Sequence, residues 1–392
     1  MQSNRDPGEL FSLDMIEKFI SFDTTSRNSN LPLIHFVRDY LGQLGVDCVL
    51  TYDRERGKAN LFATLGPRDQ PGIILSGHTD IVPVDDQEWT SDPFKLARRD
   101  GKVFGRGVCD MKGFLAIATA FAPEFLKRGL KTPLHLAMSF DEEVGCLGVP
   151  LLINDVVGRG PLPLACIVGE PSEMKVIRAH KGKIGGHVQV TGLPAHSGIA
   201  HQGVNAVEAA GEAIAYFKRI QRRLRDEGPY NGDFEAPAYT TIQCCMVNGG
   251  TAVNIVAGHC TFDFDIRFLP GENPEAYVDE CKAFVARHVE PEMRAVSPEA
   301  GFVWKKVPGA AALNTACDAE ITRLAQKLSG SSDSTCVGFG TEAGHFQEAG
   351  IPTIICGPGS IDQAHKADEF ITLDQVARCE HFLWRLLDEV GA

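Results

Sequence analysis

The sequence contains no apolar run approaching the ~18 residues of a membrane-spanning helix. Its amino terminus, MQSNRDPGELFSLDMIEKF, has acids where a signal peptide needs an apolar core. None of its twelve cysteines are paired as C-x-x-C; several sit in apolar segments (Cys48, Cys166, Cys260, Cys356), as buried free thiols do in a reducing compartment. Internal repeats and low-complexity tracts are absent too. The expectation is a cytoplasmic protein with no membrane contact. Positive charge is short: 38 Lys and Arg stand against 51 Asp and Glu, a net charge of -13, which repels a polyphosphate backbone and excludes nucleic acid as a partner. The basic cluster Lys218, Arg219, Arg222, Arg223 and Arg225 reads as a solvated helix face.

What is present is the composition of a globular chain, 44% hydrophobic with 40 glycines for turns, at a length that predicts two domains. Helical periodicity over about 14–22, 33–44 and 113–128 alternates with short apolar strands at 48–52, 60–64 and 72–76, then LHLAMSF and LACIVG. This is the pattern of an α/β layer with a largely buried sheet. Between about 181 and 307 the order becomes β-α-β-β-α-β, the ferredoxin-like unit. The α/β style returns from Thr315. The predicted fold is therefore an α/β domain with a mixed, largely parallel sheet (1–180 and 308–392), interrupted by an α+β domain (181–307).

Ligands of open α/β sheets bind at the carboxyl ends of strands, and those ends carry a particular chemistry here. SGHTDIVPVD supplies His78 and Asp80, FGRGVCDMKG supplies Asp110, and SFDEEVG supplies Asp141, Glu142 and Glu143. VGEPS supplies Glu170, and GPGSIDQAHKADEF supplies His365. Three of them have a plain structural alternative: a core histidine at 78, a charged loop at 141–143, a helix cap at 110. Together they form a mixed nitrogen and oxygen set suited to zinc, or to cobalt or manganese in its place. One aspartate between separate His and Glu groups can bridge two ions that share a water held as hydroxide near neutral pH.

These five motifs, in this order, resemble the dinuclear zinc M20 metallopeptidase and deacylase family along the whole chain. The resemblance implies two Zn2+ per chain, with Co2+ as a substitute: His78 and Glu170 on one, Glu143 and His365 on the other, Asp110 bridging. It implies that Asp80 accepts the N–H of His78, that Glu142 moves protons as general acid and base, and that His196 in GLPAHSG stabilises the oxyanion. Asn254 and Arg267 would grip a substrate carboxylate, the guanidinium fork suiting two parallel hydrogen bonds.

The inserted domain would be a lid that also joins two copies into a homodimer. SFDTTSRNSNLPLI, GFGTEAGHFQ and the Glu of VGEPS resemble the members that cleave the acetyl amide of N2-acetylornithine, releasing ornithine and acetate in arginine biosynthesis. Glu342 is then a candidate partner for the substrate ammonium. The alternatives are a succinyl-diaminopimelate desuccinylase, a broader N-acyl amino acid amidohydrolase, a carboxypeptidase, or an inactive relative that binds amino acid derivatives or metal.

Overall fold

The computed structural model describes residues 10–234 and 237–392. They form two compact units. The first takes in the chain up to Ala179 with Leu313–Cys336 and Thr341–Ala392; the second is His180–Ala312 with Val337–Gly340.

The first unit is built on a mixed sheet whose strands run, in spatial order, Cys48–Tyr52, Ala59–Leu65, Leu134–Ser139, Ile73–His78, Ala165–Pro171, Thr353–Gly357, Val176–His180 and Leu313–Asn314. Ser334–Val337 pairs beside Val176–His180. The four central strands, from Leu134–Ser139 to Thr353–Gly357, are mutually parallel, and their neighbours on either side are antiparallel. Every residue of these four is buried, as a sheet covered on both faces requires. That explains their near-continuous Ile, Leu, Val and Ala. Helix Lys112–Ala120 lies so close to the sheet that a Cβ on Gly169 would sit 2.0 Å from the Phe114 ring. The carboxyl ends of all four strands fall on one edge of the sheet.

The second unit is a four-stranded antiparallel sheet in the order Thr241–Gly249, His259–Phe268, Gly182–Thr191, Gly301–Ala310. Along His259–Phe268 the side chains alternate, Cys260, Phe262, Phe264 and Ile266 turning inward. They meet Phe217 and Ile220 of helix Ala206–Glu227 and Val278 of helix Glu275–Phe284. This is the β-α-β-β-α-β arrangement read from the sequence. The mixed α/β sheet and the separate antiparallel unit together match the predicted fold class.

Details differ for physical reasons. The expected helix over 113–128 breaks at Phe121, where Pro123 opens a second helix, Ala122–Arg128. In the inserted domain, helix Glu275–Phe284 continues as a π turn, Val285–Val289. Ala97–Arg99, Lys102–Phe104 and Phe370–Thr372 form a small three-stranded sheet, too short to show a period in sequence.

Candidate metal centre

Three parallel strands and two loops converge on one set of side chains in the first unit. Strand Ile73–His78 ends in His78, 1% exposed. Its Nδ1 donates to the carbonyl of Asp80 at 2.9 Å, which leaves Nε2 as the nitrogen facing Asp110 Oδ1 at 3.1 Å and Glu170 Oε1 at 3.8 Å. Asp110 precedes helix Lys112–Ala120 but does not cap it. Its second oxygen instead lies 3.3 Å from His365 Nε2, and His365 is 3.2 Å from Glu143. The result is two groups, His78, Asp110 and Glu170, and Asp110, Glu143 and His365. Within each, the ligand-type atoms lie within 4.8 Å of one another. Asp110 belongs to both.

The expected part of Asp80 is changed by this geometry. Its carboxylate stands 3.6 Å from His78 Nδ1, outside hydrogen-bond range; the backbone carbonyl takes that N–H. The carboxylate accepts instead from the backbone amides of Glu142 and Glu143, at 3.0 and 3.2 Å, and from Ser26 Oγ at 2.7 Å. Asp80 thus fixes the loop that presents Glu142 and Glu143, while its carbonyl fixes the His78 tautomer.

Glu142 stands next in sequence to Glu143 and outside both ligand groups. Its Oε1 accepts from the Cys146 thiol at 3.4 Å. Preceding it, Asp141 holds a φ of 55° and pairs with Lys58. His365 has a φ of 62°. Both lie in the left-handed region that costs a non-glycine residue energy and that clusters at functional loops.

Electrostatics mark the same place. Burial drives the Glu142 carboxyl up to about 8, with help from the charges of Glu143, Asp80 and Asp110. Burial also raises Glu143, and Glu170 well above the carboxylate range. Burial opposes the charge on His78, yet the bond to Asp110 and the nearby acids hold its pKa well above the usual value. Bonds to Asp110 and Glu143 lift His365 to about 10. Asp110 is pulled down, against its burial, by His365 and His78. Four acids packed around two imidazoles are a site whose charge a divalent cation compensates, and one lone pair per imidazole with carboxylate oxygens is a donor set that fits zinc or cobalt.

Glu342 is not where the sequence reading put it. It is 0% exposed, and its two oxygens accept from Ser76 Oγ at 2.7 Å and Ser139 Oγ at 2.5 Å. A carboxylate so enclosed ties the ends of two parallel strands and has no face for a substrate ammonium. Sequence reasoning missed Glu369, also 1% exposed. Its oxygens accept from the backbone amides of Gly107, Cys109 and Asp110. The signal available was its place inside GPGSIDQAHKADEF, the stretch that also supplies His365.

His196, Asn254 and Arg267 belong to the second unit. His196 is exposed; its Nδ1 accepts from Gly198 N at 3.0 Å, and Ser197 N donates to the carbonyl of Asn254. Arg267 donates through Nε to Asp265 at 2.9 Å.

Comparison with known proteins points the same way. An acetylornithine deacetylase of Pasteurella multocida is 35% identical over 370 residues, 94% of either chain. The fold is similar to that of an M20 family metallo-carboxypeptidase from Sulfolobus solfataricus, with a TM-score of 0.74 at 16% identity over 98% of this chain and 99% of that one. It is also similar to a dinuclear metal-binding M20 peptidase of Bacillus subtilis, TM-score 0.65 at 15% identity, covering 96% and 97%. Residues 74–389 match the profile of peptidase family M20/M25/M40. With the match spanning most of its length, the chain belongs to that family and is a metal-dependent amidohydrolase.

Proposed function

We propose that the chain hydrolyses the acetyl amide of N2-acetyl-L-ornithine to ornithine and acetate. The observation that carries the chemistry is the pair of ligand groups sharing Asp110, with Glu142 beside Glu143 and outside both. The substrate rests on the 35% identity to an acetylornithine deacetylase over 94% of the chain.

Two divalent cations, zinc or cobalt, held by His78, Asp110 and Glu170 and by Asp110, Glu143 and His365, would polarise the amide carbonyl and activate water near neutral pH. The rest of the work falls to the chain. Glu142 takes a proton from the attacking water and returns it to the departing nitrogen; a carboxyl raised toward neutrality by burial is suited to both transfers. Asp80 holds Glu142 and Glu143 in register through their backbone amides. In His196 the bond accepted by Nδ1 leaves the proton on Nε2, the donor form that stabilising an oxyanion requires. Arg267 engages Asp265 through Nε, which leaves its Nη groups for a substrate carboxylate alongside Asn254. The reading includes a homodimer joined through the second unit, tested by mass in solution, and a reducing, cytoplasmic setting for the free cysteines.

Turnover of N-acetylornithine, N-acetylcitrulline, N-acetylmethionine and succinyl-diaminopimelate in competition on one metal-loaded sample tests the assignment. The acetylornithine kcat/KM should be highest. A succinyl substrate preferred by about tenfold or more would replace the reading with a desuccinylase, since that ratio measures differential transition-state binding.

A further inference from the structure

The loop of Asp110 and the loop of His365 are tied together by three side chains that are in neither ligand group. Glu369 Oε2 accepts from Arg106 Nη1 at 2.8 Å and Gly107 N at 2.9 Å; Oε1 accepts from Cys109 N at 2.8 Å and Asp110 N at 3.0 Å. Four donors thus meet two buried oxygens, and the Glu369 carbonyl takes a fifth, from Gly105 N. Arg106 is itself 1% exposed, lies over Trp89 at 5.0 Å, and donates through Nη2 to Gln87 Oε1. Gln87 then donates from Nε2 to the backbone carbonyl of His365 at 3.1 Å. The path Asp110, Glu369, Arg106, Gln87, His365 closes on itself where Asp110 and His365 face each other at 3.3 Å.

A buried Arg–Glu pair stabilises little by itself, since desolvation offsets much of the attraction. One whose carboxylate also takes three backbone amides of the Asp110 loop, and whose guanidinium reaches the backbone of the His365 loop through Gln87, does something more specific. We propose that Glu369, Arg106 and Gln87 are positioning residues that set the separation of Asp110 and His365, and so the affinity of the cation group these two share with Glu143. The inference rests on the metal-centre reading above. Hydrogen-bond partners behind ligands typically contribute 10- to 100-fold in metal affinity.

The contacts predict different outcomes for two variants. Gln87→Leu removes, from a half-buried position, the bond to the His365 carbonyl and the acceptor of Arg106 Nη2, and should weaken the zinc site that holds His365 by about 10- to 100-fold and the other site less. Glu369→Gln places an amide NH2 against donors on one side of the carboxyl and should weaken both sites, because Asp110 is shared. Zinc titration of the full chain against a chromophoric chelator reads both, with the Tm of each metal-free variant measured alongside. If Glu369→Gln does not fold, Gln87→Leu decides alone. Two unchanged affinities in a folded Gln87→Leu chain overturn the proposal, as does an equal loss at both sites that tracks a fall in metal-free Tm. Wild-type chain that takes up no pair of cations overturns the metal-centre reading itself, a distinct result from a wild-type pair whose affinities the variants leave unmoved.

Discussion

Glu142 keeps a carboxyl group where ionisation is disfavoured, and that has a consequence separable from catalysis. Burial raises its pKa in the folded chain from an ordinary 4.5 to about 8. A group raised on folding gives its full stabilisation below the unfolded pKa and loses it as pH climbs through the folded one. Metal-free protein should therefore lose stability between about pH 4.5 and 8 through this residue. Glutamine cannot ionise. Glu142→Gln should raise the metal-free Tm at pH 8, and the gain should vanish toward pH 4.5. The same variant should still bind cations yet lose about 10²- to 10⁴-fold in kcat, the usual contribution of general acid–base catalysis. Near-normal turnover would refute the proton-transfer role, and a Tm difference constant across pH would refute the burial argument. The residue types and order of the centre were legible in the motifs; which atom of Asp80 serves His78 was not. Spacing places a residue near a partner but does not choose between its carbonyl and its carboxylate. Glu342 and Glu369 show the same limit, because nothing in a one-dimensional pattern says that an acid will be enclosed by serines or by backbone amides.

Among the elements, the central strands were readable because burial on both faces forces a run of apolar residues that ends abruptly at polar ones. Gly72-Ile-Ile-Leu75 before Ser76-Gly77-His78 is such a run. Three-residue strands such as Lys102–Phe104 carry no such signature, and neither does the pairing that brings Phe370–Thr372 beside it and so delivers Glu369 to the Asp110 loop. Ser76 and Ser139 illustrate how strand ends are held in register. They lie on adjacent parallel strands, and both hydroxyls donate to the buried Glu342 carboxylate. Removing either donor leaves a buried charge short of a partner, which costs about 1–3 kcal/mol. Ser76→Ala and Ser139→Ala should each destabilise metal-free protein by that order in urea unfolding. Replacing Glu342 by Gln in the Ser76→Ala background should recover part of the loss, since a neutral amide needs less compensation. No recovery would mean that the serines matter for packing alone.

For the whole molecule, the decisive fact is that all five proposed ligands lie in the first unit, while the second has a core of its own around Phe217, Phe262 and Phe264. Ligand that binds only the folded form stabilises it by mass action, about 2.7 kcal/mol per site at a hundred times Kd. Chelation should remove that contribution from the first unit. The three tryptophans allow this to be read locally, because Trp89 and Trp384 belong to the first unit and Trp304 to the second, where it packs against Phe262 and Phe302. In a Trp89→Phe, Trp384→Phe chain, fluorescence reports the second unit through Trp304, while calorimetry reports both. Stripping the metals should lower the calorimetric transition of the first unit and leave the Trp304 transition where it was. Metal affinity should also rise with pH between 5 and 8, since His365, held up to about 10 by Asp110 and Glu143, must give up a proton to become a ligand. Proton release on zinc loading, measured by calorimetry in buffers of different ionisation enthalpy, checks that sign. If loading takes up protons, or if the Trp304 transition falls as far as that of the first unit, the cations do not bind where these five side chains place them, or their energy is not confined to the unit that holds them.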